Sequence, residues 1–283
     1  MQVLGPRIVV AAFEGWNDAG EAATSAVDVM LRNGRYELAH AVDPELYFDY
    51  QYTRPEIETD GEGVRRLRWP EAKLWRPLDA PDGGTALWLL TGVEPARAWQ
   101  GFSAEIIDVA LRDDVTGLVT LGSMLSDVPH TRPIPVFAGS QNEEVRAGHG
   151  LERSTYEGPV GILSALEVAA ETAGIPTASL WASIPHYVAS ATPSPKATLA
   201  LLDRLNELTG VDMPRGRLST DAAAWEASID AAAADDEDMA DYIRQLERAR
   251  DTWDAPEASG DAIAQAFERY LRRDGDGPGE HKR

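Results

Sequence analysis

Residues 7–24 constrain the fold of this chain more than any other stretch. After Arg7, the run Ile8-Val9-Val10-Ala11-Ala12-Phe13 is continuously apolar and leads to a turn carrying Gly15, which suits a strand buried on both faces. The residues after Asn17 read as a helix start. Asp18 and Glu21 stand at capping-box spacing, with Asp18 in the place of the usual Ser or Thr. Its carboxylate is positioned to accept from the free amides of the first turn while Glu21 reaches back. A strand, a tight turn and a helix in this order predict an α/β fold, and they fix the fold class without naming a reaction.

The same alternation continues downstream. Apolar strand candidates recur at 38–42, 86–91, 117–121, 135–138 and 179–184, with helical periodicity between several of them. After Glu94-Pro95, residues Trp99, Phe102, Ile106, Ile107, Ala110 and Leu111 share a helix face. A second crossover helix is expected over 161–173, stopped by Gly174 and Pro176, and a third over 195–209, stopped by Gly210. The segment 47–78 is polar, carries Pro55, Pro70 and Pro77, and reads as a long excursion with one short strand at 65–69. Beyond Gly210 the composition turns to alanine and acidic residues, with helical runs at 221–234, 238–252 and 258–272. The expected organisation is an α/β core over 1–210, a helical appendage over 211–273 and a disordered tail over 274–283. In the appendage, Trp225, Ile229, Met239, Ile243, Leu246, Trp253, Ile263, Phe267 and Leu271 form a stripe that must face something.

Composition narrows the function. The chain has 283 residues and 43% hydrophobic content, ample for a core. A formal net charge of -21, from 47 acidic and 26 basic residues, opposes phosphate neutralisation, so neither nucleic acid nor an anionic membrane is an expected partner. Zero cysteines exclude disulfides, thiolate metal sites and a cysteine nucleophile, and favour the cytoplasm. No stretch approaches the ~18 apolar residues of a membrane helix, and a soluble protein is expected.

In a sheet with crossovers, ligands gather where loops leave the carboxyl ends of the strands. The loops expected there supply Glu14, Asp18, Glu94, Ser123, Ser126, Asp127, His130 and His186. A hydrolase would use Ser123 or Ser126 as nucleophile, His130 or His186 as base, and Asp127, Glu14 or Asp18 as the orienting carboxylate. The surroundings of Ser123 are not Gly-x-Ser-x-Gly, and either histidine could instead satisfy local carbonyls in its proline-bounded loop. Five histidines without an H-x-x-x-H or H-E-x-x-H pair give no metal motif. The turn over 15–20 precedes a helix N-terminus that could attract an anion, but Asp18 and Glu21 already place carboxylates there. No cofactor is expected.

The segment Phe13-Glu14-Gly15-Trp16-Asn17-Asp18-Ala19-Gly20 resembles the opening signature of the proteasome assembly chaperone family. Three stretches are similar to its actinobacterial branch: Leu121-Gly122-Ser123-Met124-Leu125-Ser126-Asp127-Val128-Pro129-His130-Thr131-Arg132-Pro133, Tyr156-Glu157-Gly158-Pro159-Val160-Gly161-Ile162, and Ser179-Leu180-Trp181-Ala182-Ser183-Ile184-Pro185-His186-Tyr187-Val188-Ala189. Pro193-Ser194-Pro195-Lys196-Ala197-Thr198 continues the match. The resemblance implies a three-layer α/β/α fold with a mixed sheet, phosphorylase/hydrolase-like, and a tendency to homo-oligomerise. It carries over no catalytic residue. It also implies protein partners, proteasome subunits among them. Some members dock through a C-terminal hydrophobic-Tyr-any tripeptide, whereas this chain ends His281-Lys282-Arg283 and its Arg269-Tyr270-Leu271 is internal, so docking by that route is not expected. The expectation is a non-catalytic, oligomeric interaction protein that assists assembly of a larger complex. The alternative is a hydrolase or nucleotide-type ligand-binding protein using the loops at the strand ends.

Overall fold

Strand β1 (Arg7–Glu14) is buried along its whole interior, and the architecture is built outward from it. A computed structural model of the protein describes residues 3–79, 84–188 and 192–254. The helical run expected over 258–272, the tail over 274–283, the Arg269-Tyr270-Leu271 triplet and the C-terminal residues lie outside the described residues. In chain order β1 is followed by α1 (Ala22–Asn33), β2 (Tyr36–Ala41), α2 (Pro44–Tyr47), β3 (Glu56–Thr59), β4 (Arg65–Arg68), β5 (Ala72–Pro77) and β6 (Ala86–Val93). Then come α3 (Trp99–Arg112), β7 (Gly117–Ser126), β8 (Val136–Gly139), α4 (Glu143–His149), α5 (Ile162–Thr172), β9 (Thr177–Pro185), α6 (Pro195–Thr209), α7 (Leu218–Ala234) and α8 (Glu237–Asp254).

The main sheet has seven strands in the order β2-β5-β6-β1-β7-β9-β8. Strands β6, β1, β7 and β9 run parallel, with Val10 opposite Leu89 on one side and Val119 on the other. β5 is antiparallel to β6, β2 to β5, and β8 to β9, so the sheet is mixed. Alternate side chains of β1 enter two different cores, as a strand with period two requires. Ile8, Val10 and Ala12 join Ala26, Val27, Leu201 and Leu205 of α1 and α6, while Val9, Ala11 and Phe13 join Phe102, Ile106, Ile162 and Leu166 of α3 and α5. Helices on both faces of a central sheet make the three-layer α/β/α arrangement.

Segment 47–78 holds more structure than the one strand its sequence suggested. β3 and β4 pair as a two-stranded ribbon, and β5 enters the main sheet between β2 and β6. The prolines mislead because Pro70 precedes β5 and Pro77 closes it, where a missing donor interrupts no interior rung of the ladder. Ala72 and Leu74 alternate inward and are fully buried.

Helices α7 and α8, the two described after Gly210, pack against the rest of the fold. Met213, Leu218, Trp225 and Ile229 belong to the same buried cluster as α1 and α6, and Ile243 and Leu246 of α8 are buried as well. Trp253, on the same expected stripe, is 78% exposed. No helix of the described residues is long and apolar enough to cross a membrane. Deleting the chain after Gly210 is expected to uncover the α6 face under Trp225 while sparing the buried strands. The truncated protein should keep much of its far-ultraviolet circular dichroism and bind an apolar dye more strongly than the full chain. Complete unfolding, or unchanged dye binding, would contradict this.

Candidate functional site

The parallel strands all end at one pole of the sheet, and the loops leaving β1, β6, β7 and β9 meet there. The turn Asn17-Asp18-Ala19 is its centre. Ser123 near the end of β7 donates its backbone amide to the Asn17 carbonyl (2.8 Å) and its hydroxyl to the Ala19 carbonyl (2.8 Å). Asp18 is buried and its Oδ1 accepts the amides of Ala23 (2.7 Å) and Thr24 (3.3 Å) at the start of α1, while the Thr24 hydroxyl donates to its other oxygen. Those amides have no partner within the helix, so the carboxylate caps it. Glu21 takes a left-handed conformation (φ 49°) directly before α1 and stays exposed; no hydrogen bond from its side chain back to Asp18 is present among the described residues. Burial pushes the Asp18 carboxyl above its ordinary value, opposed by the hydrogen bonds from Thr24 and Ala23.

The other side of the turn reaches α5. Asn17 is buried and donates through Nδ2 to Glu94 Oε1 (3.3 Å), which also accepts the Ile162 amide (2.9 Å) at the first residue of α5. Glu94 thus caps a helix whose own N-cap residue, Gly161, has no side chain. Gly161 is required there, because a Cβ would lie 2.0 Å from Asn17 Nδ2. Glu14, at the end of β1, is exposed at this pole; partial desolvation raises its carboxyl and the nearby Arg68 pulls it down.

The two histidines lie elsewhere. His130 is fully buried between the loop after β7 and the two C-terminal helices. Tyr187 Oη accepts the His130 backbone amide (2.8 Å) and sits 2.8 Å from Nδ1, while Nε2 is 3.1 Å from Asp230 Oδ1 on α7. Because the tyrosine oxygen already accepts one N–H, its proton is assigned to Nδ1, and Nε2–H donates to Asp230. Burial holds His130 below its ordinary 6.5, with Asp230 pulling the other way, and burial pushes the Tyr187 hydroxyl up to about 12. Around this imidazole, Lys196 bridges the His130 carbonyl and Glu226 of α7, and Thr131 donates to Glu247 of α8. Arg132 forks onto Asp251 of α8 (2.7 and 2.9 Å). His186 is half-exposed, 3.2 Å from Asp127, with the Tyr242 ring of α8 5.6 Å away.

The structure therefore brings Asp18 and Ser123 together, leaves Glu14 nearby at the surface, and sends His130 and His186 to the seat of the C-terminal helices. No hydrogen bond joins Ser123 or Ser126 to either histidine among the described residues. Nor do the described residues hold a group of three His, Asp or Glu arranged for a metal ion. The sequence reading missed Asn17, Tyr187, Lys196 and Asp230. A glycine at the start of the α5 pattern was the one available signal that a distant carboxylate had to cap it.

Residues 12–233 match the model of the PAC2 family. A comparison with curated proteins gives no match. A PAC2 family protein from Streptomyces avermitilis has 42% identity and a TM-score of 0.78, covering 84% of this chain and 99% of its own. A proteasome-assembly chaperone homologue from Mycobacterium tuberculosis has 40% identity and a TM-score of 0.74, covering 83% of this chain and 99% of its own. PbaB of Pyrococcus furiosus, an archaeal proteasome activator, shares the fold at 14% identity, with a TM-score of 0.63 over 80% of this chain and 93% of its own.

Asp18→Ala is expected to cost about 1 kcal/mol of stability through loss of the α1 cap, seen as a lower urea midpoint at unchanged slope. An unchanged midpoint would reject the cap. For His130 the folded state binds a proton less readily than the unfolded chain. Its contribution is complete above the ordinary 6.5 and is lost as pH falls through that value and below it. Urea midpoints of the wild type should drop over this window, and His130→Gln should flatten that part of the profile. Identical slopes in the two proteins would contradict the assignment.

Proposed function

Because the chain belongs to the PAC2 family, we propose that it is a non-catalytic, oligomeric interaction protein of the cytoplasm that assists assembly of a larger complex, with proteasome subunits as its partners. One observation carries this reading. Three of the candidate side chains are engaged in holding the fold, Ser123 on a backbone carbonyl and Asp18 on the first turn of α1 at the pole, and His130 between Tyr187 and Asp230 at the seat of α7 and α8. Several groups that face outward at the same pole are apolar: Trp16 is 63% exposed, and Met124, Leu125 and Val160 are exposed with it. Clustered apolar side chains in water favour association with another protein surface. The likeness to the Mycobacterium tuberculosis proteasome-assembly chaperone homologue supports the partner class.

Light scattering at micromolar concentration is expected to give a multiple of the 30.7 kDa chain mass. Assembly of a proteasome core from separately purified subunits of the same source, followed on native gels, should run faster with the chain present and show an intermediate that contains it. A 30.7 kDa particle would reject self-association. Identical time courses without a shared intermediate would reject the assembly role.

A further inference from the structure

The β3–β4 ribbon is an amphipathic surface element that its own chain leaves uncovered. It lies at the carboxyl pole, because β2 runs parallel to β6 and ends there, and β5, antiparallel to β6, begins there. Its register pairs Glu56 with Arg68, Ile57 with Leu67, Glu58 with Arg66 and Thr59 with Arg65. Side chains alternate between the faces of a ribbon, so Glu56, Glu58, Arg66 and Arg68 share one face and Ile57, Thr59, Arg65 and Leu67 the other. The first face is electrostatically complete: Arg68 pairs with Glu56 and Glu58, and Arg66 with Asp60. The second is not. Ile57 is 58% and Leu67 50% exposed, directly opposite each other, and Arg65 has no ion-pair or hydrogen-bond partner for its side chain among the described residues.

That lone cation is unusual in a chain with a net charge of -21. Among the described residues the side chains of only three cations, Arg54, Arg65 and Arg248, lack a hydrogen bond or ion pair, and the first two flank or form this ribbon. A surface that fits the second face must therefore offer apolar contact edged by carboxylates. The chain itself carries one. The Ser123 amide bonds the Asn17 carbonyl and Gly161 abuts the Asn17 side chain, which brings the Met124 and Val160 segments beside the Trp16 turn, whereas Leu125 alternates to the opposite face of β7. Glu14 stands exposed at the end of β1, two residues before Trp16. The ribbon and this patch adjoin at the same pole, close enough for Arg68 to act on Glu14.

We infer that the Ile57–Leu67 face of the ribbon seats on the Trp16, Met124 and Val160 patch of a second copy of this chain, with Arg65 against Glu14. Each copy carries both halves of the contact, so two copies can exchange it reciprocally, or several can share it head to tail in a ring. The occupant also supplies what a two-stranded ribbon lacks by itself, since such a ribbon is marginal in water without a packed face. The inference rests on the self-association proposed above and names the surface responsible.

The absence of cysteine from the chain allows a direct test. Leu67→Cys and Met124→Cys proteins, each carrying one thiol, are mixed under mild oxidation and resolved on a non-reducing gel, alongside each variant alone. The expected product is a mixed disulfide in excess over either symmetric one. Ile57→Asp with Leu67→Asp, whose positions are exposed in the single chain, should retain wild-type circular dichroism and shift the mass in light scattering to 30.7 kDa. Arg65→Glu should weaken the assembly at least tenfold, and Glu14→Arg in the same protein should restore it. An oligomer that persists in the double Asp variant, or a predominant Leu67→Cys homodisulfide, overturns this interface while self-association stands. A wild type of 30.7 kDa overturns both, including the case in which the ribbon serves a different protein.

Discussion

Two hydrogen bonds from Ser123 tie the Asn17-Asp18-Ala19 turn to the end of β7, and the rest of the carboxyl pole is positioned through that turn. Asp18 carries the constraint into α1 by capping Ala23 and Thr24. Asn17 carries it through Glu94 into the first residue of α5. One short segment thereby sets the angle at which helices on opposite faces of the sheet leave it. The cost is a buried carboxylate, offset by two amides and a hydroxyl that would otherwise be unsatisfied in the same place. Such an arrangement gives Asn17 and Asp18 in the segment Phe13-Glu14-Gly15-Trp16-Asn17-Asp18-Ala19-Gly20 a structural reason to be there.

The parts of this fold that are legible in the sequence are those where one residue type has one physical solution. Continuous apolar residues after Arg7 leave a doubly buried strand as the economical outcome, and the helix over Pro195–Thr209 begins at a proline and ends at Gly210, whose φ is 71°. β5 was hidden because two prolines at its borders resemble breakers when counted and not placed. The ribbon partner Glu56–Thr59 was hidden because its polar residues satisfy one another across strands, a pairing that exists only once the turn at 60–64 has formed. The candidate site was legible as a list of residues and not as an arrangement. Asp18 and Ser123 converge through a backbone bridge, whereas His130 is claimed by Asp230, 100 residues further along the chain, which no local pattern announces.

Charge is distributed in a way that the net figure conceals. With 47 acidic residues against 26 basic ones, like-charge repulsion would push two acidic helices off the sheet unless cations were placed beneath them. Lys196 and Arg132 occupy that position, meeting Glu226, Glu247 and Asp251 from below, and His130 stays neutral between Tyr187 and Asp230. Aromatic contacts among His186, Tyr187 and Tyr242 fill the remaining space. The loop that offers serine, histidine, arginine and aspartate in sequence is the seat on which α7 and α8 rest.

The pole is thus divided. Its half over β9 and the loop after β7 is closed by the chain's own helices, through ion pairs, an imidazole and buried Trp225. Its half over β1, β6 and the ribbon is left open, with Trp16 and the Ile57–Leu67 face in water. The chemistry that closes the first half is not repeated over the second. Two opposed aliphatic side chains left exposed on a two-stranded ribbon lower the stability of the single chain. In the interface inferred above that exposure is covered, and the acidic composition of the remainder disfavours other contacts, because acidic surfaces repel one another over most of the molecule while Arg65 attracts a carboxylate.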